Sequence, residues 1–434
     1  MVAIEDIYQK YLVTRSVTID SRNVTPGALF FAIRGTNFNG NTFAEAALAQ
    51  GASYAIIDDP AYVKPSSAYI LVENSLSILH RLANYHRRQY SMHLPVIAIT
   101  GSYGKTTTKE LVYQILRTTY KTVATKGNLN TSIGVSLTLL SMMHDTEIAV
   151  IEMGATQLKD IALCCTIAEP THGIITAIGE AHLDTFHNLE EIIQGKGELY
   201  DYLYTTKGIV FLNTMDDLLQ TISSPFPNLV TYPQSKDFAP LDLVSADPYL
   251  CYRSSEGEHV RTHLLGKVHI HNVAAALCIA KYFKVPTKAA DRAIQAYVPN
   301  NLRMELVVKG SNQLIIDSYN SSPASVQAAL NTLLQLNVGQ YIVILGDMAE
   351  LGNQTNVWHS QIIEQLHHPG YNLVLLCGPF FTAAASKQPN NKMHCFPNKE
   401  ILADYLCKRQ FQHSGILLKG ANNLEIHTLV AFLN

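Results

Sequence analysis

The stretch that most constrains this chain is VIAITGSYGKTTT at residues 96–108. A short β-branched run ends at Thr100, a turn with two glycines follows, and the apolar residues after Lys105 recur at helical spacing. Strand, glycine turn and helix N-terminus form the setting in which backbone N–H groups and the helix dipole hold phosphates. In that setting Lys105 neutralises phosphate charge and the Thr106 hydroxyl ligates Mg²⁺. The residues that we expect to contact the nucleotide are Gly101, Ser102, Gly104, Lys105, Thr106 and Thr107.

This loop is a compact variant of the usual phosphate-loop pattern. Ile99, and not a glycine, stands six residues before Lys105. The competing interpretation is an ordinary strand-to-helix turn with a surface lysine. The apolar strand pattern before the loop and the helical pattern after it favour phosphate binding.

Length and charge limit the class of protein. A chain of 434 residues is too long for one ordinary core, so we expect two or three domains. The formal charge of −3 and the lack of a Lys/Arg-rich stripe argue against nucleic acid as a partner. The sequence begins without the basic and apolar regions of a signal peptide, and no apolar run approaches the length of a membrane span. These features predict a cytoplasmic protein.

The cysteines agree with that compartment. The seven cysteines are odd in number and scattered, and none forms a Cys-x-x-Cys pair. Free buried thiols in a reducing compartment fit this pattern better than disulfide bonds or a zinc site.

The order of apolar runs and helical patterns predicts three α/β domains. Residues 1–94 form a smaller α/β domain. Residues 95–296 form a central domain of the phosphate-loop type, in which near-continuous apolar strands at 96–100, 148–151 and 173–178 make a parallel sheet with helices on both faces. Residues 225–263 are expected to be an irregular or antiparallel excursion. Residues 297–434 repeat the alternation and form a Rossmann-like domain without its own glycine-rich phosphate loop.

Polar residues follow the strands of the central domain at the points where the strands end. Glu152 follows the second strand and His182 comes shortly after the third. Ligands of parallel sheets lie beyond the carboxyl ends of the strands, so both residues converge on the phosphate loop. By itself, Glu152 is about equally well explained as a carboxylate that faces water. By itself, His182 is better explained as a histidine with an ordinary hydrogen-bond partner than as a ligand.

Several segments carry a resemblance to one family. They are TGSYGKT at 100–106, TKGNLNTSIGV at 125–135, EMGA at 152–155, GEAHL at 179–183 and KGE at 196–198. These segments resemble the ATP-dependent Mur ligases of peptidoglycan assembly, and the resemblance covers essentially the whole chain. The segment ILGDMAELG at 344–352 is similar to the branch that adds D-alanyl-D-alanine, and the Asp-Asn-Pro-Arg signature of the diamino-acid branch is absent. The segments DSR at 20–22 and PGALFFA at 26–32 resemble the UDP-binding N-terminal domain of these two branches.

The resemblance implies an ADP-forming amide ligase of cell-wall synthesis that uses ATP, a UDP-muramoyl tripeptide and D-alanyl-D-alanine. The γ-phosphoryl group passes to the substrate carboxylate, and an amine attacks the resulting acyl phosphate. One Mg²⁺ is expected on Thr106 and Glu152, and a second on His182 and Lys196. The resemblance implies that CO₂ converts Lys196 to a carbamate, which needs an amine of lowered pKa, whereas the residues alone favour an exposed helical lysine. The expected catalytic residues are Lys105, Glu152, His182 and Lys196.

The resemblance also implies the remaining site residues. Asn272 is expected to contact adenine, and Arg303 and Asp317 are expected to reach ATP from the third domain, so that catalysis requires domain closure. The expected substrate-binding residues are Ser21 and Arg22 for the UDP group, Asn130 and Thr131 after the phosphate loop, and Asn320, Asp347 and Glu350 around the dipeptide.

The chain departs from the family pattern at three places. Ser102-Tyr103 stands where many relatives carry Thr-Asn, and Ser321-Ser322 replaces an Ala-Asn pair. Asn422 lies in KGANN at 419–423, where the family has Lys-Gly-Ser-Arg, and its amide cannot replace a carboxylate-binding guanidinium. Two alternatives therefore stay open: a Mur-like ligase that adds a different amino acid or dipeptide, and an ATP-binding regulator that hydrolyses ATP slowly. In each case we expect a monomer that acts on small molecules, without nucleic acid or a membrane span.

Overall fold

The computed structural model describes residues 2–35, 38–91 and 93–433. Contacts between Cα atoms divide the chain into two compact units. The first unit comprises Met1–Ile178, Gln194–Leu212 and Asp216–Thr231, and the second comprises Gly179–Ile193, Asn213–Met215 and Tyr232–Asn434. The segment 179–193, which contains His182, therefore belongs to the second unit.

The elements up to residue 232 alternate strands with helices. The strands are β1 (Val17–Thr18), β2 (Leu29–Phe31), β3 (Tyr54–Ile57), β4 (Tyr69–Leu71), β5 (Val96–Thr100), β6 (Thr122–Ala124), β7 (Ile148–Glu152), β8 (His172–Ile175), β9 (Ile209–Asn213) and β10 (Leu229–Tyr232). The helices are α1 (Ile4–Thr14), α2 (Ala44–Ala49), α3 (Ser75–Arg87), α4 (Lys105–Leu116), α5 (Ser132–Leu140), α6 (Asp160–Ala168), α7 (Leu189–Thr206) and α8 (Asp217–Ser223). Short 3₁₀ turns lie at Gly40–Phe43 and Pro60–Tyr62.

The first unit contains two sheets. Strands β1 to β4 pair in chain order, all parallel, over a small core that includes Phe30, Ala47 and Ile57. The second sheet has the order β10-β9-β8-β5-β7-β6, and strands β5 to β9 pair in parallel. Helix α4 packs against β5, β6 and β7, and α5 and α6 pack against each other. The carboxyl ends of β7 and β8 therefore flank the loop that follows β5, and this loop lies where ligands of such sheets bind.

The second unit continues with elements after residue 240. The strands are β11 (Asp242–Ala246), β12 (Tyr249–Arg253), β13 (His259–Leu265), β14 (Glu305–Lys309), β15 (Asn312–Asp317), β16 (Gln340–Gly346), β17 (Tyr371–Cys377), β18 (Met393–Phe396) and β19 (Ser414–Lys419). The helices are α9 (Ile270–Tyr282), α10 (Thr287–Ala296), α11 (Pro323–Leu333), α12 (Thr355–Leu366), α13 (Pro379–Lys387) and α14 (Lys399–Cys407). Further 3₁₀ turns lie at Lys267–His269, Gly352–Gln354, Asn422–Leu424 and Ile426–Phe432.

The larger sheet of this unit has the order β14-β15-β19-β16-β17-β18, parallel except for the antiparallel edge strand β14. Successive strand residues point to opposite faces, and both faces are buried. Ile315, Val343 and Leu417 face a core completed by α11, α12 and α13. Ile316 and Ile344 face a second core that α14 and the C-terminal 3₁₀ turn complete. Because helices cover both faces, the central residues of these strands are apolar.

The sequence predictions of class and architecture are confirmed, with corrections of detail. Strands β11, β12 and β13 form the predicted antiparallel excursion. The strand predicted at 173–178 ends at Ile175, because the Thr176 hydroxyl donates to the Tyr103 carbonyl and the Ala177 carbonyl accepts from the Ser102 N–H, both in the loop after β5. The prediction of buried thiols is wrong for Cys395 and Cys407, which are exposed on the edge strand β18 and at the end of α14. Within the described residues, no helix is both long and apolar enough to span a membrane.

Candidate nucleotide and metal site

The loop between β5 and α4 depends on two glycines. Gly101 has a φ of 139°, and a Cβ there would lie 2.3 Å from Thr176 Oγ1. Gly104, with a φ of 82°, is the N-cap of α4. The Ser102 N–H donates to the Ala177 carbonyl at 2.7 Å, which ties the loop to the chain after β8. Glycine at these two positions therefore lets the backbone bend tightly at the start of α4, where the first N–H groups have no acceptor within the helix.

The first turn of α4 directs one lysine to the loop and buries two threonines. Lys105 Nζ donates to the carbonyl oxygens of Gly101 at 2.6 Å and Ser102 at 3.3 Å. Thr106 and Thr107 are buried. Thr176, which the sequence analysis did not single out, donates its hydroxyl to the carbonyls of Thr100 and Tyr103 and so fixes the loop from the β8 side.

Glu152 ends β7 next to Ile99 of β5 and is fully buried. Its Oε1 accepts hydrogen bonds from the Thr106 hydroxyl at 3.1 Å and from Asn130 Nδ2 at 2.9 Å. Its Oε2 is buried and has no hydrogen-bond partner. The alternative of a carboxylate facing water is therefore wrong. A buried carboxylate oxygen without a partner is costly, so the position fits a bound cation.

The ligand types at this position suit magnesium. The Thr106 hydroxyl and the Glu152 carboxylate are hard oxygen donors, which Mg²⁺ prefers, usually together with phosphate oxygens and water. In the described part of the chain, no three His, Cys, Asp or Glu side chains come together as a ready-made metal cluster. Substrate phosphates and water would therefore complete the coordination.

Lys196 is buried on α7, with only 1% of its surface exposed. Its Nζ donates to the Ala155 carbonyl at 2.9 Å. Burial, reinforced by the nearby Lys105 ammonium and opposed by Asp160 and Glu198, lowers the pKa of Lys196 to about 7. The alternative of an exposed helical lysine is therefore wrong, and the neutral amine is a substantial fraction at pH 7 and predominates above it.

Two further residues predicted near the loop have structural contacts. Asn130 supports Glu152, as described above, and its backbone carbonyl accepts from the Gly154 N–H at 2.7 Å. Thr131 is the N-cap of α5, and its hydroxyl accepts from the Gly134 N–H at 3.5 Å. Asn130 therefore belongs to the surroundings of the carboxylate, a role that the sequence analysis did not anticipate.

In the second unit, His182 pairs with Glu350. The distance from His182 Nδ1 to Glu350 Oε2 is 2.7 Å. The Leu183 N–H also donates to the Glu350 carbonyl, at 2.8 Å. His182 therefore has the ordinary partner that the alternative interpretation allowed, but through only one of its two ring nitrogens.

Asp317 and Lys419 form a buried ion pair at the carboxyl ends of β15 and β19. Lys419 Nζ lies 2.5 Å from Asp317 Oδ2 and donates to the Asn320 carbonyl at 3.0 Å. Asp317 Oδ1 accepts from the Met304 N–H at 3.2 Å. The Asn320 side chain accepts from the neighbouring Ser321 N–H at 2.7 Å. Both Asp317 oxygens thus have protein partners.

Arg303 and Asn272 also lie in the second unit, and each contacts the ring of a neighbouring side chain. The Arg303 guanidinium stacks on the Tyr319 ring, 3.9 Å from its centroid, and its Nε is buried without a hydrogen-bond partner. The Asn272 amide lies 3.2 Å from His269 Nδ1. Complete burial lowers the pKa of His269 to about 4, although Asp317 opposes this shift, so the His269 ring is neutral and accepts from the amide.

Asp347 lies at the end of β16 and caps another helix. Its carboxylate accepts from the N–H groups of Phe380 at 3.0 Å and Phe381 at 2.9 Å, in the first turn of α13. A negative charge is favourable at a helix N-terminus. Because both oxygens are engaged, Asp347 supports the loop after β16 and does not present a free carboxylate.

The residues predicted to bind UDP lie in the first unit on a surface turn. Arg22 donates through Nε and Nη2 to the Asp20 carboxylate, both at 2.9 Å, and its side chain is 88% exposed. Hydrogen bonds from Arg22 lower the pKa of Asp20 to about 2. Ser21 lies between them and is half-buried.

The glycine loop, the buried carboxylate and the buried lysine define a nucleotide-binding α/β protein of the phosphate-loop class. Three family models match the chain: the Mur ligase family catalytic domain over residues 14–87, the Mur ligase middle domain over 99–280, and the Mur ligase glutamate ligase domain over 302–422. The chain is 31% identical to the UDP-N-acetylmuramoyl-tripeptide--D-alanyl-D-alanine ligase of Bacillus subtilis, with 96% of this chain and 93% of that protein covered. The chain belongs to the Mur ligase family.

Another relative and two solved structures are also similar to this chain over nearly its whole length. The ligase of the same name from Escherichia coli is 31% identical, with 96% of this chain and 93% of that protein covered. A crystal structure of MurF from Acinetobacter baumannii is similar with a TM-score of 0.85 and 26% identity, covering 98% of this chain and 97% of that one. The structure of MurF ligase from Thermotoga maritima in complex with ADP has a TM-score of 0.82 and 26% identity, with 97% of each chain covered.

Proposed function

We propose that this chain is an ATP-dependent ligase that joins D-alanyl-D-alanine to a UDP-N-acetylmuramoyl tripeptide during peptidoglycan precursor synthesis. The observation that carries the proposal is the full-length similarity to ligases of that name. The phosphate loop and the buried Glu152 beside Thr106 support it, because they supply the groups that such a reaction needs. We further propose a cytoplasmic monomer.

In the first half of the reaction, a carboxylate oxygen of the tripeptide attacks the γ-phosphorus of ATP, and ADP leaves. The loop N–H groups and Lys105 hold the phosphates and oppose their charge. Mg²⁺ on Thr106 and Glu152 would neutralise the charge that develops on the transferred group. The unpartnered Glu152 Oε2 supports this assignment, because a cation would satisfy it.

In the second half, the amine of the dipeptide attacks the acyl carbon, a C–N bond forms, and phosphate leaves. We propose a second Mg²⁺ on His182 and on a carbamate of Lys196. A neutral Lys196 amine can attack CO₂ and lose a proton, which converts it to an anionic oxygen ligand. The burial of Lys196 and the pKa of about 7 support this proposal.

We propose that substrates are shared among three domains, residues 1–94, 95–296 and 297–434, in agreement with the limits of the three family models. Ser21 and Arg22 bind the UDP group, which requires Arg22 to leave Asp20. Asn272 contacts adenine, and Arg303 reaches phosphate with the Nε that lacks a partner. Asp317 reaches the ribose only by exchanging one of its present hydrogen bonds.

A second candidate is a ligase of the same chemistry that adds a different amine. Asn422 favours it, because an exposed amide stands at the start of the 3₁₀ turn after β19 where the family pattern has an arginine. A neutral amide provides a weaker carboxylate contact than a guanidinium. The candidate dipeptide residues Asn320 and Glu350 remain assigned to the amine pocket only as a prediction.

The test is to identify the product by mass spectrometry. The protein is incubated with ATP, Mg²⁺ and the UDP-muramoyl tripeptide, and with a panel of D-alanyl-D-alanine, other dipeptides and single amino acids. We expect a UDP-muramoyl pentapeptide with D-alanyl-D-alanine. A product with another amine only would support the second candidate, and ATP hydrolysis without any amide product would favour the ATP-binding regulator.

A further inference from the structure

The segment after β16 and the segment around His182 are joined by three features. The Glu350 carboxylate meets His182 Nδ1 at 2.7 Å, and the Glu350 carbonyl accepts from the Leu183 N–H at 2.8 Å. A Cβ at Gly352 would lie 2.8 Å from the Leu183 carbonyl oxygen, so the third feature is a close backbone approach. His182 and Glu350 both have positive φ angles, 55° and 62°. Two residues with an uncommon backbone conformation thus have their side chains in contact.

This 2.7 Å contact between His182 Nδ1 and Glu350 determines which ring nitrogen of His182 is available. An ionised carboxylate accepts hydrogen bonds and cannot donate them. In the neutral imidazole, Nδ1 therefore carries the proton that Glu350 accepts, and Nε2 keeps the lone pair. Metal-binding histidines are commonly held in this way, with the second ring nitrogen bonded to a carboxylate that fixes tautomer and orientation.

The segment that carries Glu350 has further contacts of its own. The Met348 N–H donates to His359 Nε2 at 3.1 Å, and His359 Nδ1 donates to the Thr355 carbonyl at 2.7 Å. His359 is fully buried. On the other side of the same segment, Asp347 caps α13, and a Cβ at Gly378 would lie 2.4 Å from the Asp347 carboxyl carbon. The segment that carries Glu350 is therefore fixed by contacts that do not involve His182.

We propose that Glu350 is a positioning residue for the metal site: it orients the His182 ring and holds the tautomer in which Nε2 can bind Mg²⁺. The inference rests on the proposed role of His182 as a metal ligand. It differs from the assignment of Glu350 to the dipeptide pocket. Both side chains are partly exposed, 22% for His182 and 41% for Glu350, and such a pair adds little to stability. The main effect of the contact is therefore to orient the His182 ring.

The first test reads the tautomer directly, without metal, substrate or turnover. Histidine ¹⁵N chemical shifts are measured in the metal-free protein, and the His182 signals are assigned by their loss in His182→Gln. We expect the Nδ1-protonated tautomer in the parent protein and a shift towards the Nε2-protonated form in Glu350→Ala. Glu350→Gln should retain the parent tautomer in part, because its amide oxygen can still accept. Glu364→Gln, on the exposed face of α12, is the matched control and should change nothing.

The second test measures metal affinity, with Mn²⁺ as the probe in the presence of ADP. Loss of such a supporting carboxylate lowers metal affinity by roughly 10- to 100-fold. We expect a decrease of this size in the Mn²⁺ affinity of Glu350→Ala and a smaller decrease in Glu350→Gln. Thermal unfolding should be unchanged in both variants. If Glu350→Ala changes neither the His182 tautomer nor the Mn²⁺ affinity, the inference about Glu350 is wrong, whereas the proposed metal role of His182 is not affected. Unchanged Mn²⁺ affinity in His182→Gln would overturn the proposed metal role of His182 and this inference with it.

Discussion

Replacing Lys196 with methionine should raise stability while it abolishes ligation. Methionine keeps the length and apolar stem of the side chain but cannot be protonated or carry a carbamate. The pKa of Lys196 is lowered from 10.5 to about 7. At about 1.36 kcal/mol per pKa unit, this shift corresponds to roughly 5 kcal/mol of stability that the protonated lysine removes from the folded state.

The sign follows from proton binding. Between pH 7 and pH 10.5 the unfolded chain holds a proton on Lys196 that the folded chain does not hold, so the free energy of unfolding rises with pH in this range. The full penalty applies below pH 7. The stability advantage of Lys196→Met should therefore be greatest near pH 6.5 and should fall by about 3 kcal/mol by pH 9.5.

The assay is urea unfolding of both proteins from pH 6.5 to 9.5 in CO₂-depleted buffer, together with ligation in the presence of bicarbonate. Lys121→Met, which replaces an exposed lysine of the same unit, is the control and should show no such pH-dependent difference. We expect Lys196→Met to bind ATP and to lose ligation, with no rescue by bicarbonate. Equal pH dependence in Lys196→Met and the parent would refute the burial argument, and full ligation in Lys196→Met would refute the carbamate.

Three other substitutions test the site. Glu152→Gln should keep the fold but lower kcat roughly 100-fold or more and raise the Mg²⁺ concentration needed for half activity, because it removes the anionic ligand. Gly101→Ala should cost roughly 2 kcal/mol or more in unfolding free energy and weaken ATP binding, because of its positive φ and the contact with the chain after β8. Lys419→Met should destabilise by roughly 3–5 kcal/mol by leaving Asp317 buried and unpaired, and Asp317→Asn in the same chain should recover part of that loss.

The first two of these substitutions have a matched control. Glu190→Gln changes an exposed carboxylate and should leave the Mg²⁺ dependence unchanged. Gly197→Ala lies within α7 with nothing within 4 Å of the added Cβ, and it should stabilise by roughly 0.5–1 kcal/mol. Normal Mg²⁺ dependence in Glu152→Gln would contradict the role of Glu152 as a metal ligand. Tight ATP binding in Gly101→Ala would contradict the argument for the loop. Additive changes in unfolding free energy in the double variant of Lys419 and Asp317 would contradict the ion pair.

The phosphate loop could be predicted from the sequence because its determinants are local. The glycines, Lys105 and Thr106 lie within a few residues of one another, and the apolar strand before them is buried on both faces. Glu152 could be placed at the same edge because it directly follows an apolar strand. The alternation of strands and helices in the C-terminal domain was equally clear, since helices cover both faces of its sheet and the central residues of its strands are apolar.

Contacts between distant segments could not be read from the sequence. Burial of Lys196 depends on how α7 packs, and the Lys-Gly-Glu run alone indicates an exposed helix. The carboxylate of Asp347 caps a helix that begins at Pro379, and Glu350 meets His182, although neither pair shares a local pattern. Tertiary packing determines the partners of these side chains. The sequence therefore suggested that Asp347 and Glu350 contact a ligand, whereas the structure shows that they contact other protein groups.

The most direct test of the proposed function is phosphate release with ATP, Mg²⁺ and the UDP-muramoyl tripeptide, measured with and without D-alanyl-D-alanine. The account predicts release that depends strongly on the dipeptide, because phosphate leaves only when an amine attacks the acyl phosphate. Equal release with and without the dipeptide would contradict the ligase. Release that requires a different amine would keep the ligase chemistry and overturn the substrate, and the turn that begins at Asn422 would then be the first segment to exchange.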